Sequence, residues 1–111
     1  MPVYKFGEIV LVRFHPAYGE ELRKYRPAVI IRDLFPINPR FIQIVPLTSQ
    51  TTIKNRQSEL IIKHPSLEGK SLLLSWYVMT FDSTRVVHRL GKLNHSDQTR
   101  LLKIISSPSQ G

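Results

Sequence analysis

The sequence predicts an α+β domain that is mainly β, a small barrel-like sheet with one C-terminal helix. Three observations carry this. Short β-branched apolar runs recur through most of the chain, separated by connections rich in Pro, Gly and Asn, the pattern of strands and turns. The last stretch switches to helical spacing. A chain of 111 residues with 41% hydrophobic content builds one core and not two. No internal repeat interrupts it. We therefore expect a single domain over 1–111, with its core at about 6–105 and a frayed tail at 106–111.

The elements follow in order. Residues 8–14 (EIVLVRF) are β-branched and apolar, as a buried strand requires. Residues 15–25 form a polar connection longer than a tight hairpin needs, and long loops on small barrels often carry function. Pro27 opens a second strand through about Arg32, because proline is tolerated at a strand's first residue and pushes Arg26 into extended geometry. Residues 34–40 hold Pro36, Asn38 and Pro39 and form a turn. Residues 41–48 (FIQIVPLT) alternate until Pro46, which predicts a bulge or a strand edge. Residues 50–57 are polar and basic and read as a loop. Residues 58–63 and 71–76 are two further strands around a turn at Pro65 and Gly69. Residues 77–83 read as a short helix or turn, and 85–91 as a strand with basic outward positions. That makes five or six strands. A helix starts near Ser96, capped by Asn94 or Ser96, with Leu101, Leu102, Ile104 and Ile105 as its apolar stripe.

Composition excludes several function classes. The absence of cysteine removes disulfides and thiolate zinc sites, and is compatible with a reducing cytosol. No apolar stretch reaches membrane-spanning length, and Glu8 interrupts any signal-like N-terminus. Sixteen Lys and Arg against eight Asp and Glu give a net charge of +8, spread along the chain rather than held in a tail. Such a folded basic surface attracts polyanions: nucleic acid, an anionic membrane or an acidic protein segment.

Within that field, Arg26 stands where one apolar run begins, and Thr48, Ser49 and Gln50 stand where the next ends. If the two runs neighbour each other, a guanidinium and a hydroxyl cluster share one rim. That suits RNA cleavage without a metal. A ribose 2′-hydroxyl attacks its own phosphate, so the protein has only to position the backbone, stabilise added negative charge and move protons. Arg26 suits charge stabilisation, because its fork matches phosphate oxygens. Thr48 or Ser49 can hydrogen-bond a phosphate or a ribose hydroxyl. Glu20 and Glu21 offer a general base from the long loop, although a carboxylate with a pKa near ~4.3 is a weak one. His15 and His88 are further candidates for proton transfer or RNA contact. Taken singly, each has an ordinary alternative: a solvated strand flank, a turn, a surface charge. His64 and His95 read as turn residues, and no histidine pair has metal-ligand spacing. Trp76, Tyr77, Phe41 and Tyr25 read as packing or interface aromatics before stacking platforms.

Gly7-Glu8-Ile9-Val10-Leu11-Val12, Gly19-Glu20-Glu21, Arg26-Pro27-Ala28-Val29-Ile30-Ile31 and Pro46-Leu47-Thr48-Ser49-Gln50 together resemble the MazF/PemK toxins. Asp82, Arg85, Leu90, Gly91 and Leu93 continue the likeness, which spans about 6–105. The resemblance implies an SH3-like barrel of the MazF/PemK/CcdB type, usually a homodimer. It implies metal-independent cleavage of single-stranded RNA to a 2′,3′-cyclic phosphate and a 5′-hydroxyl, with no cofactor, in the cytoplasm. It also implies a cognate antitoxin that lays an acidic segment across the RNA site. By position, Arg26 and Thr48 match the residues most often held catalytic in the MazF branch, and Gly19 to Glu21 match the loop beside the site.

The departures are specific. His15-Pro16 stands where the family loop usually begins with Asp-Pro. In the PemK/Kid branch a His occupies the position of Glu20, an Arg that of Leu74 and an Asp that of Trp76, and the Arg that commonly precedes Thr80 is Met79 here. The expected site is therefore Arg26 and Thr48, with Glu20 or His15 as base, and with Ser49, Gln50, Lys54 and Arg56 on RNA. Two alternatives stand beside it: a catalytically weakened member that holds RNA or an antitoxin, and a toxin of the same fold acting on a topoisomerase.

Overall fold

The computed structural model describes residues 3–14, 25–48, 60–67, 69–74 and 77–106. Seven strands and one helix occur among them: β1 (Glu8–Arg13), β2 (Tyr25–Asp33), β3 (Phe41–Thr48), β4 (Ile61–Lys63), β5 (Lys70–Leu73), β6 (Met79–Asp82), β7 (Val86–Lys92) and α1 (His95–Ser106). A 3-10 turn, Ser83–Arg85, joins β6 to β7. The strands run β4-β5-β3-β2-β1-β7, with β6 pairing the first half of β3, and every pairing is antiparallel.

β3 is the hinge of this arrangement. Its first half pairs β6 from Phe41 to Ile44, and its end pairs β5 at Leu47 and Thr48. Pro46 falls where the neighbour changes. Its carbonyl accepts from the Leu74 N–H at 3.0 Å, so its hydrogen-free nitrogen faces that same gap and no ladder bond is lost. The bulge expected near this proline lies instead in β2, at the register shift between Ile30 and Arg32. Two further shifts bend β7 around β1.

Alternation along the strands builds two cores. Ile9, Val29, Val45 and Leu47 point to one, which β4, β5 and α1 cover with Leu60, Ile62, Leu73 and Leu101. Val10, Val12, Ala28, Ile30, Ile42 and Ile44 point to the other, which Phe14 and Phe81 complete. The central strands are thus buried on both faces, which is why they read as near-continuous apolar runs.

Four sequence expectations are corrected. Residues 77–83 hold a strand, β6, because Met79 and Phe81 turn inward against the second core while Thr80 faces out opposite Gln43. Leu102 is half exposed and leaves the apolar stripe to Leu101, Ile104 and Ile105, whose spacing alone fits one helix face. His95 opens the helix rather than sitting in a turn. Of the two strands expected at 58–63 and 71–76, the described residues hold Ile61–Lys63 and Lys70–Leu73, with Leu60 and Leu74 outside them.

The helix cap is Asn94, whose Oδ1 accepts from the Asp97 N–H at 2.7 Å. The helix is tied to the sheet through backbone. Leu93 N–H donates to the Gly7 carbonyl, and Gly7 N–H donates to that of Ile30. Gly7 has φ +90°, a backbone conformation that favours glycine, and the Gln98 side chain of α1 lies against it.

Candidate functional site

Arg26 is the second residue of β2 and stands opposite Val12 of β1. Its side chain therefore lies on the face of the second core, at that core's rim. There its guanidinium sits over the Phe14 ring, 5.6 Å from the centroid. Phe14 is only 7% exposed and meets Phe81 edge-on, at 5.2 Å between centroids and 61° between planes. Arg85 covers Phe81 from its own side at 5.4 Å, and its Nη1 donates to the Arg13 carbonyl at 3.5 Å. A contact of this kind contributes roughly 0.5–1 kcal/mol where exposed, and more where water is excluded.

Thr48 ends β3. The β2–β3 ladder pairs Ala28 with Pro46, and that register carried two residues further brings Arg26 and Thr48 level with each other. Both are half-buried, and by the period of two both belong to one face. The structure thus brings together the two residues that sequence reasoning ranked first. Glu20, His15, Ser49, Gln50, Lys54 and Arg56 lie outside the described residues. By connectivity, segment 15–24 runs between Phe14 and Tyr25 and segment 49–59 begins at Thr48, so both are attached at this rim.

Among the described residues no carboxylate pairs with Arg26; the ion pairs are Arg40–Asp82, Arg89–Glu8 and Arg100–Asp97. The two carboxylates with shifted titration serve the scaffold. Desolvation raises Asp33, but N–H donation from Phe35, Tyr4 and Val3 outweighs it and holds the group below its ordinary range. Hydrogen bonds from the Thr84 N–H and hydroxyl, with Arg40 beside them, likewise lower Asp82. No cluster of His, Asp or Glu able to hold a metal occurs among the described residues.

The other candidates are dispersed. His88 is exposed in β7, opposite Leu11. His64 is a scaffold residue: Nδ1 accepts from the Ser66 N–H at 3.1 Å, and its ring packs against Gly91 so closely that a Cβ there would collide. Met79, where the resemblance leads one to expect an arginine, packs against the second core, and the Leu74 backbone serves Pro46. Trp76 lies outside the described residues. Tyr77 is 49% exposed, so it is no core residue. An open groove of about 500 Å³ at the β4–β5 turn, lined by Lys63, His64 and Lys70 among others, includes neither Arg26 nor Thr48.

Sequence reasoning missed Phe14 as part of the site. The alternation Val10, Val12, Phe14 signals its face, but its contact with Phe81 depends on β6, which was not foreseen as a strand.

The profile of the PemK-like, MazF-like toxins of type II toxin–antitoxin systems matches residues 5–107. No curated protein sequence matches the chain significantly. The fold is similar to that of MazF from Deinococcus radiodurans, at 20% identity and a TM-score of 0.70 over 93% of each chain. It is similar to the Mycobacterium tuberculosis toxin MazF-mt6, at 20% identity and 0.68, over 88% of this chain and 91% of that one. It also resembles a mycobacterial endoribonuclease solved with its cognate antitoxin, at 14% identity and 0.69, over 94% of this chain and 92% of that one. These likenesses concern the fold, whereas the profile spans nearly the whole sequence and takes in both Arg26 and Thr48. The chain belongs to the PemK-like, MazF-like toxin family of type II toxin–antitoxin systems.

Proposed function

We propose that this toxin is a metal-independent endoribonuclease that cuts single-stranded RNA, leaving a 2′,3′-cyclic phosphate and a 5′-hydroxyl. The observation that carries this reading is the placement of Arg26 and Thr48 level with each other on one face of adjacent strands, with no described carboxylate on the guanidinium. A phosphate at this rim meets a permanently charged fork from β2 and a hydroxyl from β3.

In this mechanism the substrate's own 2′-hydroxyl attacks the adjacent phosphorus, the P–O5′ bond breaks, and the departing 5′-oxygen takes a proton from water to leave as a hydroxyl. Arg26 stabilises the charge that grows on the pentavalent phosphate, a task in which one well-placed donor supplies about 2.7–4 kcal/mol. Thr48 holds the phosphate or the ribose in line. Glu20, or His15 in its place, takes the 2′ proton. Ser49, Gln50, Lys54 and Arg56 hold the flanking RNA. The net charge of +8 favours RNA as substrate and an acidic antitoxin as inhibitor, and makes both associations salt-sensitive. The toxin works as a homodimer in the cytoplasm, where its mRNA substrate is found. Long RNA incubated with the protein in EDTA tests the reading. Cut ends lost in Arg26→Ala and in Thr48→Ala support it, and equal cleavage by both folded variants overturns it.

The inward packing of Met79 favours a second reading, a weakened member that holds RNA or antitoxin without cutting. It predicts salt-sensitive RNA binding with no new ends in the same assay.

A further inference from the structure

We propose that Phe14 is a positioning residue for Arg26: its ring is the floor that aims the guanidinium at the phosphate. This rests on the nuclease reading above. An arginine at a strand end has four rotatable bonds, and a carboxylate partner is the common way to restrain them. Among the described residues Arg26 has no such partner. It has a ring instead, 5.6 Å from Cζ to centroid. A ring face attracts a cation without occupying its N–H groups, which stay free to fork onto phosphate oxygens.

A floor must itself be fixed. Phe14 is 7% exposed, and Phe81, at 6%, braces it edge-on at 5.2 Å. Arg85 closes the far side over Phe81 and anchors to the Arg13 carbonyl, next to Phe14 in the chain. The run Arg26, Phe14, Phe81, Arg85 thus links β2 to the 3-10 turn after β6 across the second core. Arg85 meets this run at the Phe81 ring and at the Arg13 carbonyl.

The test compares Phe14→Leu, which keeps apolar volume but removes the ring face, with Phe14→Tyr, which keeps the face. Ile44→Val, in the same core but clear of Arg26, controls for lost packing. In the wild type and in Phe14→Tyr the ring current shifts the Arg26 Nε–H resonance upfield. In Phe14→Leu that resonance moves to the position of a solvated arginine. Cleavage by Phe14→Leu falls about tenfold or more in kcat with KM within about twofold. Ile44→Val retains its rate. In an Arg26→Ala background, Phe14→Leu costs nothing further, because a residue acting through Arg26 has nothing left to position.

An unmoved Arg26 resonance in Phe14→Leu overturns the proposal. So does a rate loss that persists in full in the Arg26→Ala background. A wild type that leaves RNA intact sinks the nuclease reading alone, and the resonance then still decides whether Phe14 orients Arg26.

Discussion

The two ends of strand β2 treat charge in opposite ways. At Asp33 one carboxylate accepts three backbone N–H groups, from Val3 and Phe35 at 2.9 Å and from Tyr4 at 3.1 Å. It ties the N-terminal segment and the following turn to the sheet. Close by, Arg89 donates to the Val3 carbonyl at 2.8 Å, lies over the Tyr4 ring at 4.6 Å and approaches Glu8 at 3.6 Å. Seven residues away, at Arg26, a cation rests on a ring and meets no described carboxylate. Arg89 and Arg26 both use an aromatic floor, and Arg89 also has Glu8 beside it. A carboxylate filled by backbone N–H groups builds a scaffold, and a guanidinium seated on a ring at a strand end suits a ligand.

The largest effect expected from this contrast is functional. Arg26→Ala should lower RNA cleavage by about 100- to 1000-fold. It should cost no more than about 1 kcal/mol of stability, the worth of an exposed cation–π contact. Arg26→Lys, which keeps the charge but not the fork, should recover only part of the rate. Cleavage kinetics and urea unfolding on the same samples check this. A loss of stability that fully accounts for lost activity would erase the contrast.

Asp33→Ala should do the reverse. It strands three N–H donors at a largely solvated site, so we expect a loss of about 1–2 kcal/mol after allowance for screening. Its cleavage rate, measured well below the melting temperature, should match the wild type. Asn94→Ala removes the helix cap and should cost about 1 kcal/mol, with Asn94→Gly costing only a few tenths. Cleavage that falls with Asp33→Ala at constant folded fraction would show that the two ends communicate.

Much of this contrast was legible in the sequence. β1, β2 and β3 fell close to their expected bounds because their residues are apolar on both faces, and Arg26 and Thr48 follow from where those runs start and stop. Asn94 was one of two caps the sequence offered, with Ser96, and the helix opening at His95 selects it. β6 was not legible, since four residues, MTFD, carry too little alternation to outweigh a turn, and their extended form comes from pairing with β3. Leu102 misled because hydrophobicity alone does not say which side of a helix a residue occupies. Phe14 as the floor of Arg26 was not legible either. It needs Phe81 brought across the core by β6 and the 3-10 turn, a contact between residues 67 positions apart.

The smallest expected effect concerns acid, and it sharpens the reading of the Asp33 end. Hydrogen bonds hold the Asp33 and Asp82 carboxyls below their ordinary range. A carboxyl lowered in the folded state contributes stability that is present above its unfolded pKa, about 3.9, and is lost as pH falls through the lower folded value. The wild type should therefore weaken progressively below about pH 4. Asp33→Asn cannot ionise and should show a shallower decline. The gap between the two proteins, measured as urea midpoints, should be widest at neutral pH and narrow in acid. A gap of constant width from neutrality to below pH 3 would mean that Asp33 acts there by shape rather than by charge. The opposition between a hydrogen-bonded anion and a ring-seated cation at the two ends of β2 would then rest on Arg26 alone.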